Sequence, residues 1–246
     1  MEPSARSSLS SNLAIPLSIV IAGALIGGGL YFGVSKNATG QQAAAAIAAQ
    51  KVNIKDVKIT ADTPYIGKAN APVTLAVWTD YQCPFCKAIE VGGVPQITTE
   101  PSFPMLIKDY VDTGKLRIVF KDYTFLGQDS TTAALYGHAV WATYPDKYFA
   151  WRTAMYKAQD EEGDQGFGDE PSVLALIKKI PGMDANKLNA LVAKNKDAYA
   201  AMIASDQQEG AAFGINGTPG AITGTQSIDG AQPPSAFKAA IDAQLK

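Results

Sequence analysis

The sequence predicts an α/β fold interrupted by a helical insertion and preceded by an apolar amino-terminal segment. Three observations carry this reading. A β-type run, Val73–Trp78, leads into the only two cysteines of the 246-residue chain, Cys83 and Cys86, and then into a segment able to start a helix. A second β-type run, Leu116–Phe120, follows another helical stretch. The long stretch from Ser130 to about Gly210 then carries apolar residues near helical spacing, before the chain returns to a hairpin and a last helix.

Composition sets the outer bounds. The chain is 47% hydrophobic and 18% charged, ordinary values for a globular protein once the apolar start is set aside. A formal net charge of −2 gives no support for a nucleic-acid partner. Two cysteines suit an oxidising compartment, provided they are the working pair, because none is left over for stray pairing.

Residues 1–12 form a short Ser-rich tail. No charged residue occurs from Ser7 to Ser35, and the apolar heart of that segment, residues 13–34, has about the 20 residues needed to span a bilayer. It contains Gly23, Gly27, Gly28 and Gly29, which transmembrane helices tolerate, and ends near Tyr31 and Phe32, as an interfacial aromatic would. A secretory signal has a shorter apolar core, so an uncleaved single-pass anchor is expected rather than a cleaved leader. Charge does not orient it: Arg6 lies on one side, Lys36 and Lys51 on the other. Residues 35–55 read as a tether, Ala-rich between Gln41 and Gln50. The folded domain is expected over residues 56–246.

Within the domain, Val57–Thr60 is expected to be a short first strand and Asp62–Gly67 a turn-rich lead-in. Val73–Trp78 is the first long strand. The helix after Cys86 is expected to stop near Glu90, because Gly92, Gly93, Pro95, Pro101 and Pro104 argue against continuation. Helix resumes near Met105–Asp112, Gly114 ends it, and Leu116–Phe120 follows as a strand. A strand–helix–strand unit with short links is right-handed, so these two strands should be parallel. The helical insertion covers about residues 129–210. Its aromatic and Met positions, among them Trp141, Tyr148, Trp151, Met155 and Tyr199, read as core, and His138 as a structural histidine. The acidic stretch Asp160–Glu170 lacks glycine at its sixth position and has Pro171 where a bidentate Glu would stand, so it reads as a solvated loop and not a calcium loop. Ala221–Thr223, a Gly224-Thr225 turn and Gln226–Asp229 make a hairpin, and Ala236–Leu245 the last helix.

The chemistry is expected at Cys83-Pro84-Phe85-Cys86. Strand, C-x-x-C, helix is a redox context. Pro84 suits the first helical turn, where its missing N–H costs nothing. Cys83 then faces the unpaired N–H groups at the helix N-terminus, which favour thiolate over thiol. Cys86 follows one turn later on the same face, placed to close or resolve a disulfide. A zinc site needs about four ligands, and the chain offers two cysteines and the single His138. A structural disulfide across so short a loop would add little stability. No metal is expected. Asp80, three residues before Cys83, has two open roles: shifting the thiol pKa, or capping local backbone.

The segment from Ile66 to Cys86 resembles the start of the catalytic domain in the DsbA-like thiol:disulfide oxidoreductases, a branch of the thioredoxin superfamily. Far downstream, Gly210-Ala-Ala-Phe-Gly-Ile-Asn-Gly-Thr-Pro219 is similar to the family's segment that ends in a cis-proline. The two motifs in this order are more specific than either alone, and the resemblance covers roughly Asp62 to Lys246. It implies a thioredoxin fold with a helical insertion, a cis Pro219 facing the cysteines, and a Thr218 backbone that pairs with an extended substrate. It also implies a cofactor-free protein dithiol oxidase with a redox-active Cys83–Cys86 disulfide. Pro84 and Phe85 would tune it. Phe85 offers the thiolate neither charge nor hydrogen bond, where several family members have a polar residue, which points to a milder poise.

The expected partners are proteins with free cysteines and a membrane redox protein that reoxidises the pair. The expected setting is the extracytoplasmic side of the cell membrane, a placement that follows from the resemblance and not from charge. A monomer is expected. Reductase and isomerase activities use the same site, and direction depends on redox poise and partner. The tether is too short for the dimerisation domain that isomerases often carry. A non-catalytic peptide-binding module would be favoured had either cysteine been lost.

Overall fold

The computed structural model describes residues 52–160 and 166–246. The apolar segment 13–34, most of its tether and residues 161–165 of the acidic loop lie outside the described residues. Among the described residues no helix is long and apolar enough to cross a membrane.

Five strands form one mixed sheet in the order β1-β3-β2-β4-β5. They are β1 (Tyr65–Ile66), β2 (Val73–Thr79), β3 (Leu116–Asp122), β4 (Gly220–Thr223) and β5 (Gln226–Asp229). The central pair β2 and β3 is parallel, with Val73 opposite Leu116 and Thr79 opposite Asp122. β4 runs antiparallel to β2, and β5 to β4. Both faces of β2 are covered, which explains its unbroken apolar run. Val73, Leu75 and Val77 join the large core beneath the helices, while Ala76 and Trp78 face a smaller cluster with Val52, Val57, Val119, Ile215 and Ile222.

Helix α1 (Pro84–Glu90) follows β2 and stops where expected, at Val91 before Gly92 and Gly93. Helix α2 (Ser102–Leu106) starts earlier than the prolines suggested, because Pro104 falls in its first turn, where no N–H is needed. It passes into a wider turn, Ile107–Val111, in which the Asp112 N–H reaches back to the Ile107 carbonyl at 2.8 Å. The insertion consists of α3 (Gln128–Thr143), α4 (Tyr148–Ala158), α5 (Glu170–Ile177) and α6 (Ala185–Ala212), with a kink in α6 at Asn195. Helix α7 (Pro234–Asp242) closes the chain against α2.

The expected strand at Val57–Thr60 does not form. The Lys58 N–H is taken by the Glu209 carboxylate at 2.6 Å and its carbonyl by Lys121 Nζ at 3.0 Å, so side chains use the groups a sheet partner would need. The edge strand is instead Tyr65–Ile66, antiparallel to β3, inside the stretch read as a turn-rich lead-in.

Polar contacts from β2 and β3 seat the insertion on the sheet. Trp78 Nε1 donates to the Asp206 carbonyl at 2.9 Å, and a Cβ at Gly210 would come within 2.9 Å of the Trp78 ring, so α6 needs its glycine to lie this close. Lys121, on β3, pairs with Asp206 at 2.5 Å and Glu209 at 2.9 Å. His138 is buried, stacks on Tyr199 with 5.5 Å between centroids, and lies 2.9 Å from Asp122. Burial, the largest single influence, opposes its charged form, but Asp122, Asp206 and Asp62 together raise its pKa.

Candidate active site at the start of helix α1

Cys83 is the N-cap of α1, with extended backbone (φ −76°, ψ 120°), and Pro84 is the first helical residue. No side chain caps this helix end. The Cys83 sulfur thus stands beside N–H groups that no side chain occupies. Its thiol is the more acidic of the pair, lowered to about 7. The largest cause is a hydrogen bond from the Cys86 thiol, and the N–H groups of Cys86 and Phe85 add to it, while burial works in the other direction. Cys86 moves the opposite way. Burial, then its hydrogen bond and proximity to Cys83, push it well above the ordinary thiol value. Both cysteines are free thiols here.

Both sulfurs are covered: Cys83 is 3% exposed against 1% for Cys86. The loop before β4 covers Cys83, whose Sγ donates to the Thr218 carbonyl at 3.3 Å, and the Thr218–Pro219 peptide bond is cis. The asymmetry of the pair lies in proton affinity, not in solvent exposure. Phe85, by contrast, is 49% exposed, and its N–H helps to lower the Cys83 pKa.

Asp80 is buried, and its carboxylate is spent on backbone. Oδ1 accepts the Gln82 N–H at 2.9 Å, and Oδ2 accepts those of Phe125 at 2.9 Å and Leu126 at 3.2 Å. It ties the turn before Cys83 to the loop after β3. Burial raises its own pKa despite these bonds.

Several residues at the site had not been singled out. Gln159, at the end of α4, donates through Nε2 to the carbonyls of Tyr81 and Cys83. Gln82 Nε2 donates to the Phe167 carbonyl at 3.0 Å. Beneath the turn, Arg152 is buried over the faces of Phe120, Tyr156 and Tyr81, and donates to Glu90, Thr79 and Tyr156. A charge four residues after Cys86 and an arginine inside an aromatic run were the only signals of this pair in the sequence. Among the described residues no group of three acidic, His or Cys side chains is placed to hold a metal ion.

The arrangement can exchange disulfides: an acidic thiol at a helix start, beside a second thiol that holds its proton, under a cis-proline loop. A family model described as Thioredoxin matches residues 59–243. Disulfide bond formation protein D of Bacillus subtilis is 26% identical over 184 residues, covering 74% of this chain and 77% of that protein. Probable disulfide bond formation protein D of Bacillus anthracis is 25% identical over 122 residues, so the matched part spans 52% of that protein and 50% of this chain. Among solved structures, oxidised BdbD from Bacillus subtilis superposes with a TM-score of 0.65 at 24% identity, over 80% of this chain and 97% of that one. The thiol-disulfide exchange protein alpha-DsbA2 from Wolbachia pipientis gives 0.62 at 27% identity, over 85% and 99%. The fold is thus the thioredoxin fold with a DsbA-like helical insertion.

Proposed function

The chain belongs to the thioredoxin family, and from that premise we propose that it is a thiol:disulfide oxidoreductase that introduces disulfides into other proteins through Cys83 and Cys86. The observation that carries this reading is the placement of Cys83 at the N-terminus of α1, one turn from Cys86 and under the cis Thr218–Pro219 loop, with the thiol of Cys83 lowered and that of Cys86 raised. The printed names of the Bacillus and Wolbachia relatives support it.

In the oxidised enzyme a substrate thiolate attacks Cys83 Sγ, the Cys83–Cys86 bond breaks, and Cys86 leaves and takes up a proton. A second substrate thiolate then attacks the substrate sulfur of the mixed disulfide. Cys83 leaves as thiolate, the substrate is oxidised by two electrons, and the enzyme is left with two thiols. A leaving thiol near 7 departs faster than an ordinary one at 9.0. The Cys83–Cys86 pair carries the electrons with no other cofactor. Thr218, whose carbonyl accepts from Cys83, and Pro219 form the wall against which an extended substrate lies. Pro84 and Phe85 present the helix start to the sulfur. Asp80 holds the turn by its backbone bonds.

Residues 13–34 would anchor the protein in the cell membrane, with residues 35–55 as tether and residues 56–246 on the extracytoplasmic side. There a membrane redox partner would reoxidise the pair, and secreted or membrane proteins with free cysteines would be the substrates. The protein would act as a monomer.

A second reading, net reduction of disulfides, is favoured by one feature. Family thiols range from about 3.5 in strong oxidants to about 7 in thioredoxin itself. Cys83 lies at the reducing end of that range. Equilibration of the full-length protein with reduced and oxidised glutathione decides between them. A pair more oxidising than the glutathione couple supports the oxidase. A pair far more reducing supports the reductase, and retention in the membrane after alkaline wash tests the anchor.

A further inference from the structure

Gln159 is the residue that follows α4, and its side chain turns inward and is 5% exposed. Nε2 lies 2.7 Å from the Tyr81 carbonyl oxygen and 3.1 Å from that of Cys83. Both partners can only accept, so the NH₂ end of the amide must face them, and both of its hydrogens are used. The main-chain carbonyl of the same residue accepts from Lys87 Nζ at 2.8 Å. One residue of the insertion therefore grips the redox turn before the cysteine, at the cysteine and one turn into α1.

The bond to Cys83 bears on the chemistry. The Cys83 carbonyl also receives the Lys87 N–H at 3.1 Å, the first bond of α1. With Nε2 on its second lone pair, the peptide plane between Cys83 and Pro84 is held from two sides. The bond to Tyr81 holds the plane between Tyr81 and Gln82. Cys83 lacks a capping side chain, so these bonds, with the Cys83 N–H to the Asp80 carbonyl at 3.2 Å, fix the direction of its Cα–Cβ bond. That direction keeps the sulfur at the start of α1 and 3.3 Å from the Thr218 carbonyl, where the Phe85 and Cys86 N–H groups favour its thiolate, and interactions of this kind weaken quickly with misalignment.

We propose that Gln159 is a positioning residue for Cys83: from the helical insertion it holds the redox turn so that the sulfur meets the helix start. This rests on the thiol:disulfide reading above. A buried glutamine that only pins the insertion would affect stability and leave the thiol unchanged, and this difference defines the test.

The test uses the reduced full-length protein. Iodoacetamide alkylation of Cys83, assigned by mass spectrometry, is followed across pH values around 7, with thermal unfolding measured alongside. Gln159→Met keeps the length and removes both donors. It should shift the inflection upward and slow alkylation below it by roughly 3- to 10-fold, the effect of half to one pKa unit. Gln159→Asn keeps the amide one methylene short, can reach one carbonyl at most, and should give a smaller shift in the same direction. If Gln159→Met does not fold, Gln159→Asn decides alone. A wild-type inflection in the folded variants, with lowered thermal stability only, overturns the proposal. Failure of the wild type to oxidise or reduce a dithiol peptide would overturn the proposed function and leave the alkylation result for Gln159 to stand by itself.

Discussion

Arg152 Nε lies 2.8 Å from Glu90 Oε2, with both side chains closed off from solvent, and Glu90 stands one helical turn beyond Cys86. Burial opposes both charges. It raises the Glu90 carboxyl to about 7 against the pull of Arg152. It also opposes the guanidinium, but Glu90 with Tyr156, Tyr81 and Tyr148 together raise its pKa. Arginine does not lose its proton in proteins, so the core always holds the positive member. Three aromatic faces and the hydroxyls of Thr79 and Tyr156 complete its surroundings. Glu90→Ala, which removes the partner in either protonation state, should therefore cost about 3–5 kcal/mol, the usual penalty for breaking a buried pair. Urea unfolding measures it, and a loss under about 1 kcal/mol would mean that the aromatic faces suffice.

The thiol asymmetry predicts which variant traps substrate. Cys86→Ser should accumulate mixed disulfides on Cys83, because the resolving sulfur is gone, while Cys83→Ser should trap little. With both sulfurs covered, the difference comes from thiolate fraction: Cys83 is about half ionised near pH 7, and Cys86 is almost wholly protonated. Non-reducing electrophoresis after acid quench reads this, and equal trapping by the two variants would refute the assignment.

The hydrogen bond from Cys86 is the largest single cause of the Cys83 shift. Cys86→Ala should raise the Cys83 inflection, whereas Cys86→Ser, which keeps an O–H donor, should raise it less. The alkylation profile against pH separates them. If the two variants match, the helix start alone sets the acidity.

A depressed thiol pKa also links stability to pH. Cys83 in the folded, reduced protein ionises near 7, and the unfolded chain near the ordinary value of 9.0. Its contribution is fully present above the unfolded value and is lost as pH falls through the folded one. Stability of the reduced protein should therefore rise by about 2–3 kcal/mol between those two values. Cys86, raised in the fold, acts in the opposite sense above that range. Denaturant titrations of reduced wild type and Cys83→Ala check this, since the rise should vanish in the variant.

Asp80→Asn tests the two roles open for that residue. An amide would turn a donor toward N–H groups that now bind carboxylate oxygens, costing about 1–3 kcal/mol. The Cys83 inflection should barely move. A shift approaching a full unit would show that the charge of Asp80 governs the thiol.

What the sequence determined by itself is what depends on neighbours along the chain. The start of α1 at Pro84, the thiol at its N-cap, its stop before Gly92 and the hairpin at Gly224-Thr225 all follow from the chemistry of a few consecutive residues. The unbroken apolar run of β2 announced a strand covered on both faces. Tertiary structure alone decided the rest, because the partners come from distant parts of the chain. Gln159 reaches the Cys83 carbonyl across 76 residues, and Thr218 reaches the sulfur across 135. The stretch at Val57–Thr60 has strand-like residues but loses its backbone groups to Glu209 and Lys121, and Cys83 is covered by a loop that no local spacing announces. Local propensity fixes where a helix begins. Which buried donors and acceptors find each other depends on how the elements pack, since a buried polar group takes whatever partner the packing brings within reach.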